Sequence, residues 1–314
     1  MTEAEFIAAL RRLPLHAGAC GLLDDTARLA GLTITSDTIV EGVHFLAEDP
    51  PSDVAWKLVA TNLSDLAAKG ALVAGVLLNY PLTDDSWDRA FLAGLDEVLR
   101  AFACPLLGGD TVSLPAGAPR VLTATAFGTD AAGPSRGGAQ AGDALWVTGT
   151  IGDAGAGLEI ACGRPGPPAL LAAYRRPTPR LTEGRALAPH VHAMMDVSDG
   201  LLIDAGQLAT ASGLAVAIDL AALPLSADLI AFAGKDRTAR LAAATAGDDY
   251  ELLFAASAGW TPPVAATRVG KLAAGSGLAL QDGPEALPLP LMLGFEHRSV
   301  RTQLTSAGGH DLSQ

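Results

Sequence analysis

Five times along this chain an apolar run ends in a turn rich in aspartate. GLLDDTARL carries Asp24 and Asp25, TITSDTIVEGVHF carries Thr35, Ser36 and Asp37, and TNLSDLAAKG carries Asn62 and Asp65. LLGGDTVSLP carries Asp110, and MDVSDGLLIDAGQLATASG carries Asp196 and Asp199. A carboxylate is costly to bury unless it is paired, hydrogen-bonded or bound to a cation. Elements with such ends can pack side by side only where something supplies positive charge. Each turn also has a local explanation. Paired aspartates suit turns, Ser36 with Asp37 fits an Asx-type turn, and Asp65 with Lys69 has the spacing of a surface ion pair. Ser198 or Asp199 can cap the helix that Leu201, Leu202, Ala205, Leu208 and Ala209 outline, with Gly213 closing it. Taken together, the turns predict a crowded anionic cluster, and hard oxygen donors of this kind suit magnesium. Gly108 and Gly109, lacking side chains, would let backbone amides approach a phosphate.

The alternation of elements reads as a mixed α/β (α+β) fold in two domains. Strand-like runs LAGLTITSD and VLTATAFGT surround the helical runs DVAWKLVATNLSDLAAKGA and SWDRAFLAGLDEVLRAFA. TDAAGPSRGGAQAGD reads as a linker, after which a second α/β region starts with ALWVTGTIG. The expected division is 1–133 and 134–298, followed by a disordered tail at 299–314. CGRPGPP and AGKDRTAR read as surface loops. Tyr250 and Glu251 in DDYELLF read as strand residues, with Tyr250 in the core.

A formal charge of −13 leaves no basic stripe for nucleic acid. No apolar run reaches membrane-spanning length, and MTEAEFIAALRRL lacks the apolar centre of a signal peptide, so a cytoplasmic protein is expected. Cys20, Cys104 and Cys162 are too few and scattered for a disulfide framework or a zinc site, and read as small core residues. GxxxxGK[ST] is absent, GDAGAG does not fit GxGxxG, and no hydrolase or protein-kinase signature occurs. A nucleotide would therefore be held through metal and backbone.

GLLDDTARL, TSDTIVEGVHF, NLSDLAAKGA, LLGGDT, VTGTIGDAGAGL, RRPTPRL, MDVSDGLLID, AGDDYELLF and GFEH resemble, in order and spacing, the motifs of thiamine-monophosphate kinase, within the aminoimidazole ribotide synthetase-like superfamily. The resemblance implies a two-domain protein with mixed sheets flanked by helices, dimerising through its N-terminal domain. Its implied reaction is transfer of the γ-phosphoryl of ATP to thiamine monophosphate with several Mg2+ ions; because that acceptor is already an anionic phosphate oxygen, direct in-line transfer with no dedicated base is expected. Carried over by motif, the metal ligands would be Asp24, Asp25, Thr35, Ser36, Asp37, Asp65, Asp110, Asp196 and Asp199. Gly109, Asp110, Arg136 and Ser198 would face ATP, and His44, Asp248 and Phe295 the thiamine substrate. By default Arg136 would be a solvated loop residue, His44 a strand-end residue and Phe295 core packing.

Three departures mark the chain. Asp248 stands where the family has glutamate, Leu23 replaces a turn glycine, and Arg298 replaces an aromatic after His297. The substitutions concentrate on the acceptor side. Two alternatives therefore stand beside the kinase: a superfamily relative that uses ATP to activate another small substrate, and a noncatalytic nucleotide-binding paralogue.

Overall fold

The computed structural model describes residues 2–130 and 133–296. His297, Arg298 and the expected tail at 299–314 lie outside the described residues. After α1 (Glu3–Leu10) the first part runs β1 (Ala27–Leu29), β2 (Leu32–Val40), α2 (Pro51–Ala68), β3 (Leu72–Leu82), α3 (Asp85–Ala101), β4 (Leu106–Ser113) and β5 (Val121–Thr129). Its sheet has the order β1-β2-β5-β3-β4. The pairs are antiparallel except β3 with β4, which α3 connects in parallel. Strands β3 and β4 are additions to the runs that sequence patterning picks out.

The second part holds β6 (Ala144–Thr148), α4 (Asp153–Ala161), α5 (Pro168–Arg175), α6 (Leu181–Leu187), β7 (Ala193–Asp196), α7 (Leu201–Ala211), β8 (Leu214–Asp219), α8 (Ala227–Ala233) and α9 (Arg237–Thr245). It ends with β9 (Leu252–Ala256), β10 (Ala266–Ala274), β11 (Gly277–Asp282) and β12 (Glu285–Leu287). The sheet order is β12-β11-β8-β10-β6-β9-β7, with β11 and β8 parallel. AGKDRTAR is thus only partly a loop, since α9 begins within it. The linker also corrects its reading. Its Gly137 and Gly138 lie against the Ala211 and His192 carbonyls, and its Arg136 reaches inward.

Helix α2 organises the molecule. Pro51 at its first position supplies a preset φ where no amide partner is needed. Buried on nearly all sides from Val54 to Ala68, it packs Leu58, Leu63 and Leu66 into the first core. Its end, Ala67 and Ala68, packs with Leu187, Met194 and Phe254 of the second part. A helix buried all round is normally apolar throughout. This one carries Lys57, Thr61 and Asp65, with Lys69 at its C-cap, every fourth residue along one slowly winding stripe, and all four are buried.

The RRPTPRL segment ties the two parts together. Arg175 meets Asp49 at 2.8 Å, Arg176 meets Asp53 at 2.5 Å and Glu97 at 2.7 Å, and the Trp56 indole donates to the Pro177 carbonyl. Arg180 grips Glu251 through two guanidinium nitrogens, and Thr148 donates to the same carboxylate. Gly149 makes room for it: a Cβ there would stand 1.9 Å from Glu251 Oε1. Tyr250 and Glu251 therefore precede β9 instead of lying in it. Of the cysteines, Cys104 alone is buried; Cys20 is half-buried and Cys162 exposed, all three unbridged.

Candidate functional site

Three aspartates from separate segments converge: Asp25 just before β1, Asp65 in the last turn of α2 and Asp196 at the end of β7. Carboxylate oxygens of Asp25, Asp65 and Asp196 lie within 4.8 Å of one another. Thr35, on the same face of β2 as Asp37, donates its hydroxyl to Asp65, and the Asn62 side chain accepts the Asp37 amide at 3.1 Å. Two cations enter this group. Lys69 Nζ lies 2.5 Å from Asp24 and 3.0 Å from Asp25, while Arg136 grips the other oxygen of Asp25 and accepts no solvent-loop role. Arg136 also donates to Gln207 at 2.9 Å.

The charge is unevenly balanced. Burial raises the Asp25 carboxyl, but Lys69 and Arg136 outweigh it and hold the group down at about 2. Burial, reinforced by Asp25, pushes Asp196 up to about 7 and Asp37 up to about 6. Asp65 is raised well above the usual range by burial and then by Asp37, Asp196 and Asp25. Among the described residues no lysine, arginine or histidine forms an ion pair with Asp65 or Asp196. Close, under-compensated oxygen donors fit a hard divalent cation, and binding one would drive off the protons they otherwise retain.

Other acids have structural work. The expectation that Ser198 or Asp199 caps α7 is corrected: Gly200 occupies the cap position, and Asp204, from inside the helix, accepts the amides of Ser198, Asp199 and Gly200 at 3.1–3.2 Å. Asp249 likewise accepts the Gly152 amide at the start of α4. The surface-pair reading of Asp65 with Lys69 is also corrected. Both are buried, and Lys69 turns to Asp24 and Asp25.

A cavity of about 460 Å3 opens beside the cluster, between the two parts of the chain. Asp37, Asp65, Asp196, Ser198 and Asp199 line it together with His44, Asp248, Tyr250 and Phe295. Lys57, the first polar residue of the α2 stripe, reaches Asp248 at 2.6 Å and the His44 carbonyl at 2.9 Å. Its ammonium also sits 4.1 Å from the Tyr174 ring centre, a cation–π contact. Tyr250 is buried as expected, but it lies ahead of β9, lines the cavity and donates to the second Asp248 oxygen at 2.9 Å. The His44 and Phe295 rings lie 6.4 Å apart, and the Phe295 amide donates to the Asp199 carbonyl.

Two family descriptions match the chain: AIR synthase related protein, N-terminal domain, over residues 20–129, and the corresponding C-terminal domain over 140–282. The thiamine-monophosphate kinase of Caulobacter vibrioides is 43% identical over 289 residues, covering 86% of this chain and 81% of that protein. The chain belongs to the thiamine-monophosphate kinase family. The crystal structure of the family member from Stenotrophomonas maltophilia is 36% identical with a TM-score of 0.73, covering 90% of this chain and 96% of that one. AaThiL complexed with AMPPCP and TMP gives a TM-score of 0.79 at 30% identity, covering 91% and 96%.

Within this thiamine-monophosphate kinase fold, most residues named from the motifs come together, and three do not. Ser36 points to the opposite face of β2, where its hydroxyl meets Thr125 at 2.9 Å. Gly109 and Asp110 lie on β4, separated from β2 by β5 and β3. Gly109 has a packing reason to be glycine: a Cβ would stand 1.7 Å from the Leu78 carbonyl, and its φ is +151°. Lys57, Lys69, Tyr250 and Asp204 are the residues that motif reading passed over.

The raised carboxyls give the metal-free protein a definite pH response. An unfolded aspartate loses its proton near 3.8, whereas folded Asp37 and Asp196 keep theirs to about 6 and 7. Between those values the folded state holds more protons, so stability falls as pH rises from about 4 to 8, by on the order of 4 kcal/mol for Asp196 alone. Asp25, held down at about 2, acts in the opposite sense but only at more acid pH. Urea unfolding in EDTA at pH 5 and pH 8 checks this, with lower stability expected at pH 8 and recovery on adding magnesium. Equal stabilities at the two pH values would contradict the charge account.

Proposed function

We propose that this chain transfers the γ-phosphoryl group of ATP to the phosphate of thiamine monophosphate, giving thiamine diphosphate and ADP. The observation that carries the reading is the Asp25–Asp65–Asp196 cluster beside an interdomain cavity that also holds His44, Asp248 and Phe295. Bound magnesium would neutralise the charge between the two sets of phosphates. Asp65 and Asp196 form the core of the ligand set, with Asp24, Asp25, Thr35, Asp37 and Asp199 around them. Thr35 fixes the Asp65 carboxylate. Ser198 and Arg136 face the nucleotide; Arg136 reaches it from the linker while bracing Asp25. Ser36, Gly109 and Asp110 are assigned by motif alone and stand outside the single-chain cluster.

At the other end Asp248 is held by Lys57 and Tyr250, and the Phe295 and His44 rings offer faces to the thiamine rings. The acceptor is already an anionic phosphate oxygen, so no side chain needs to take a proton from it. Positioning supplies most of the catalysis, and transfer is direct and in line. Incubation with ATP, magnesium and thiamine monophosphate tests the reading, with ADP and thiamine diphosphate expected in equal amounts. A second reading, another small acceptor, is favoured by the prior engagement of both Asp248 oxygens. ATP turnover that ignores thiamine monophosphate would select it, and ATP binding without turnover of any acceptor would select the noncatalytic paralogue.

The reading includes a homodimer, a cytoplasmic location, and neither nucleic acid nor membrane as partner. Among the described residues no helix is long and apolar enough to cross a membrane. Strand β4 is exposed along its whole length, with Leu106, Leu107 and Val112 each at least half exposed. An apolar strand edge of this kind invites pairing with a second copy. Leu107→Glu is expected to convert a dimer to monomer in analytical ultracentrifugation; a wild-type monomer, or a variant that stays dimeric, would place the interface elsewhere. The division near residues 133 and 134 is supported by the separation of the two sheets.

A further inference from the structure

We infer that Lys69 is a built-in cation of the acidic site, filling the place between Asp24 and Asp25 that a divalent ion would otherwise take. The inference rests on the proposed metal reading of the cluster. An ammonium group has three N–H donors. Each has an acceptor here: Asp24 Oδ1 at 2.5 Å, Asp25 Oδ2 at 3.0 Å and the Met194 carbonyl at 3.1 Å. The Lys69 side chain is 1% exposed, and Arg136 occupies Asp25 Oδ1. Both oxygens of Asp25 therefore already carry a fixed positive partner, while Asp65 and Asp196 are joined to none.

The cluster is divided in consequence. Its Asp24 side is neutralised by the chain itself, and its Asp65 and Asp196 side is left for an ion from solution. The spacing around Nζ is that of an ammonium, longer than the 2.0–2.1 Å or so that magnesium requires. A tethered cation cannot dissociate, so this side stays neutral whatever the metal concentration. It also joins the end of α2 to β7 and holds the two parts of the chain in register at the cluster.

Without Lys69, Asp24 and Asp25 would form a further site for a diffusible cation. The test is Mn2+ binding to the purified full chain, counted by electron paramagnetic resonance, together with melting in EDTA and in Mn2+. Wild type is expected to bind a set number of ions, and Asp65→Asn fewer. Lys69→Met should bind about one more ion than wild type, melt lower in EDTA, and regain most of the difference in Mn2+. Lys69→Arg, which keeps the charge, should bind the wild-type number. An unchanged count in Lys69→Met, with a melting deficit that Mn2+ does not restore, would make Lys69 a structural tie only and overturn the inference alone. No Mn2+ bound by wild type would overturn the metal reading, and the inference with it. Lys69→Gln, which removes the charge but keeps a donor, repeats the count if Lys69→Met does not fold.

Discussion

Replacing Asp65 with asparagine is expected to lower turnover by roughly a hundredfold or more while leaving the metal-free protein at least as stable. The two effects have one origin. Asp65 is buried among Asp25, Asp37 and Asp196, and its carboxyl is raised by burial and by those neighbours. An amide of the same shape removes that repulsion and can still accept the Thr35 hydroxyl through its oxygen. It is also a far weaker ligand for a hard cation, and losing about 3 kcal/mol of charge stabilisation in the transition state corresponds to about a hundredfold in rate. The measurement is kcat at saturating ATP and magnesium beside urea unfolding in EDTA. A variant that is active but unstable would reverse the assignment and make Asp65 a structural residue.

Replacing Lys57 with methionine is expected to raise the KM for thiamine monophosphate by about ten- to a hundredfold, leaving the KM for ATP close to wild type. Lys57 meets the cavity at its acceptor end, through Asp248 and the His44 carbonyl. Loss of a charge-assisted hydrogen bond costs roughly 1.5–3 kcal/mol, which sets the size of the effect. Asp248 is on a backbone with φ +68°, so without Lys57 it has a second reason to leave its position. Methionine keeps the aliphatic volume of the lysine stem and limits loss of packing. Steady-state kinetics with each substrate varied in turn separates the outcomes. A parallel rise in both KM values would mean that Lys57 serves the interdomain packing in general, and an unchanged KM for thiamine monophosphate would remove Asp248 from the acceptor pocket.

The aspartates at the ends of apolar runs were legible because the cost of burying a charge does not depend on topology. Elements with a strong period were legible for the same kind of reason: β2, β5, α2, α3 and α7 all form where their apolar spacing puts them. What escaped was mainly partnership. Lys69 four residues after Asp65 resembles a surface pair, and only the burial of α2 from both sides turns it toward Asp24 and Asp25. A signal was present, since polar residues at every fourth position of an otherwise apolar helix mark a buried polar stripe. Ser36 also carried one: the period of two in a strand places it opposite Thr35 and Asp37. Asp204 acts on the start of α7 from inside the helix and Asp249 on the start of α4 from far along the chain, two places that cap-position rules do not search. The place of Asp110 depends on the order of strands in the sheet, and that order is set by packing of the whole first part rather than by any local pattern.

The most direct measurement is a single turnover with ATP labelled at the γ-phosphorus, quenched at intervals in the presence of magnesium and thiamine monophosphate. Direct transfer predicts that label passes from ATP into the terminal phosphate of thiamine diphosphate, with one ADP formed for each, and that protein carries no label at any time. Label appearing first on the protein would contradict direct transfer. Label appearing as inorganic phosphate with no thiamine diphosphate would contradict the kinase itself.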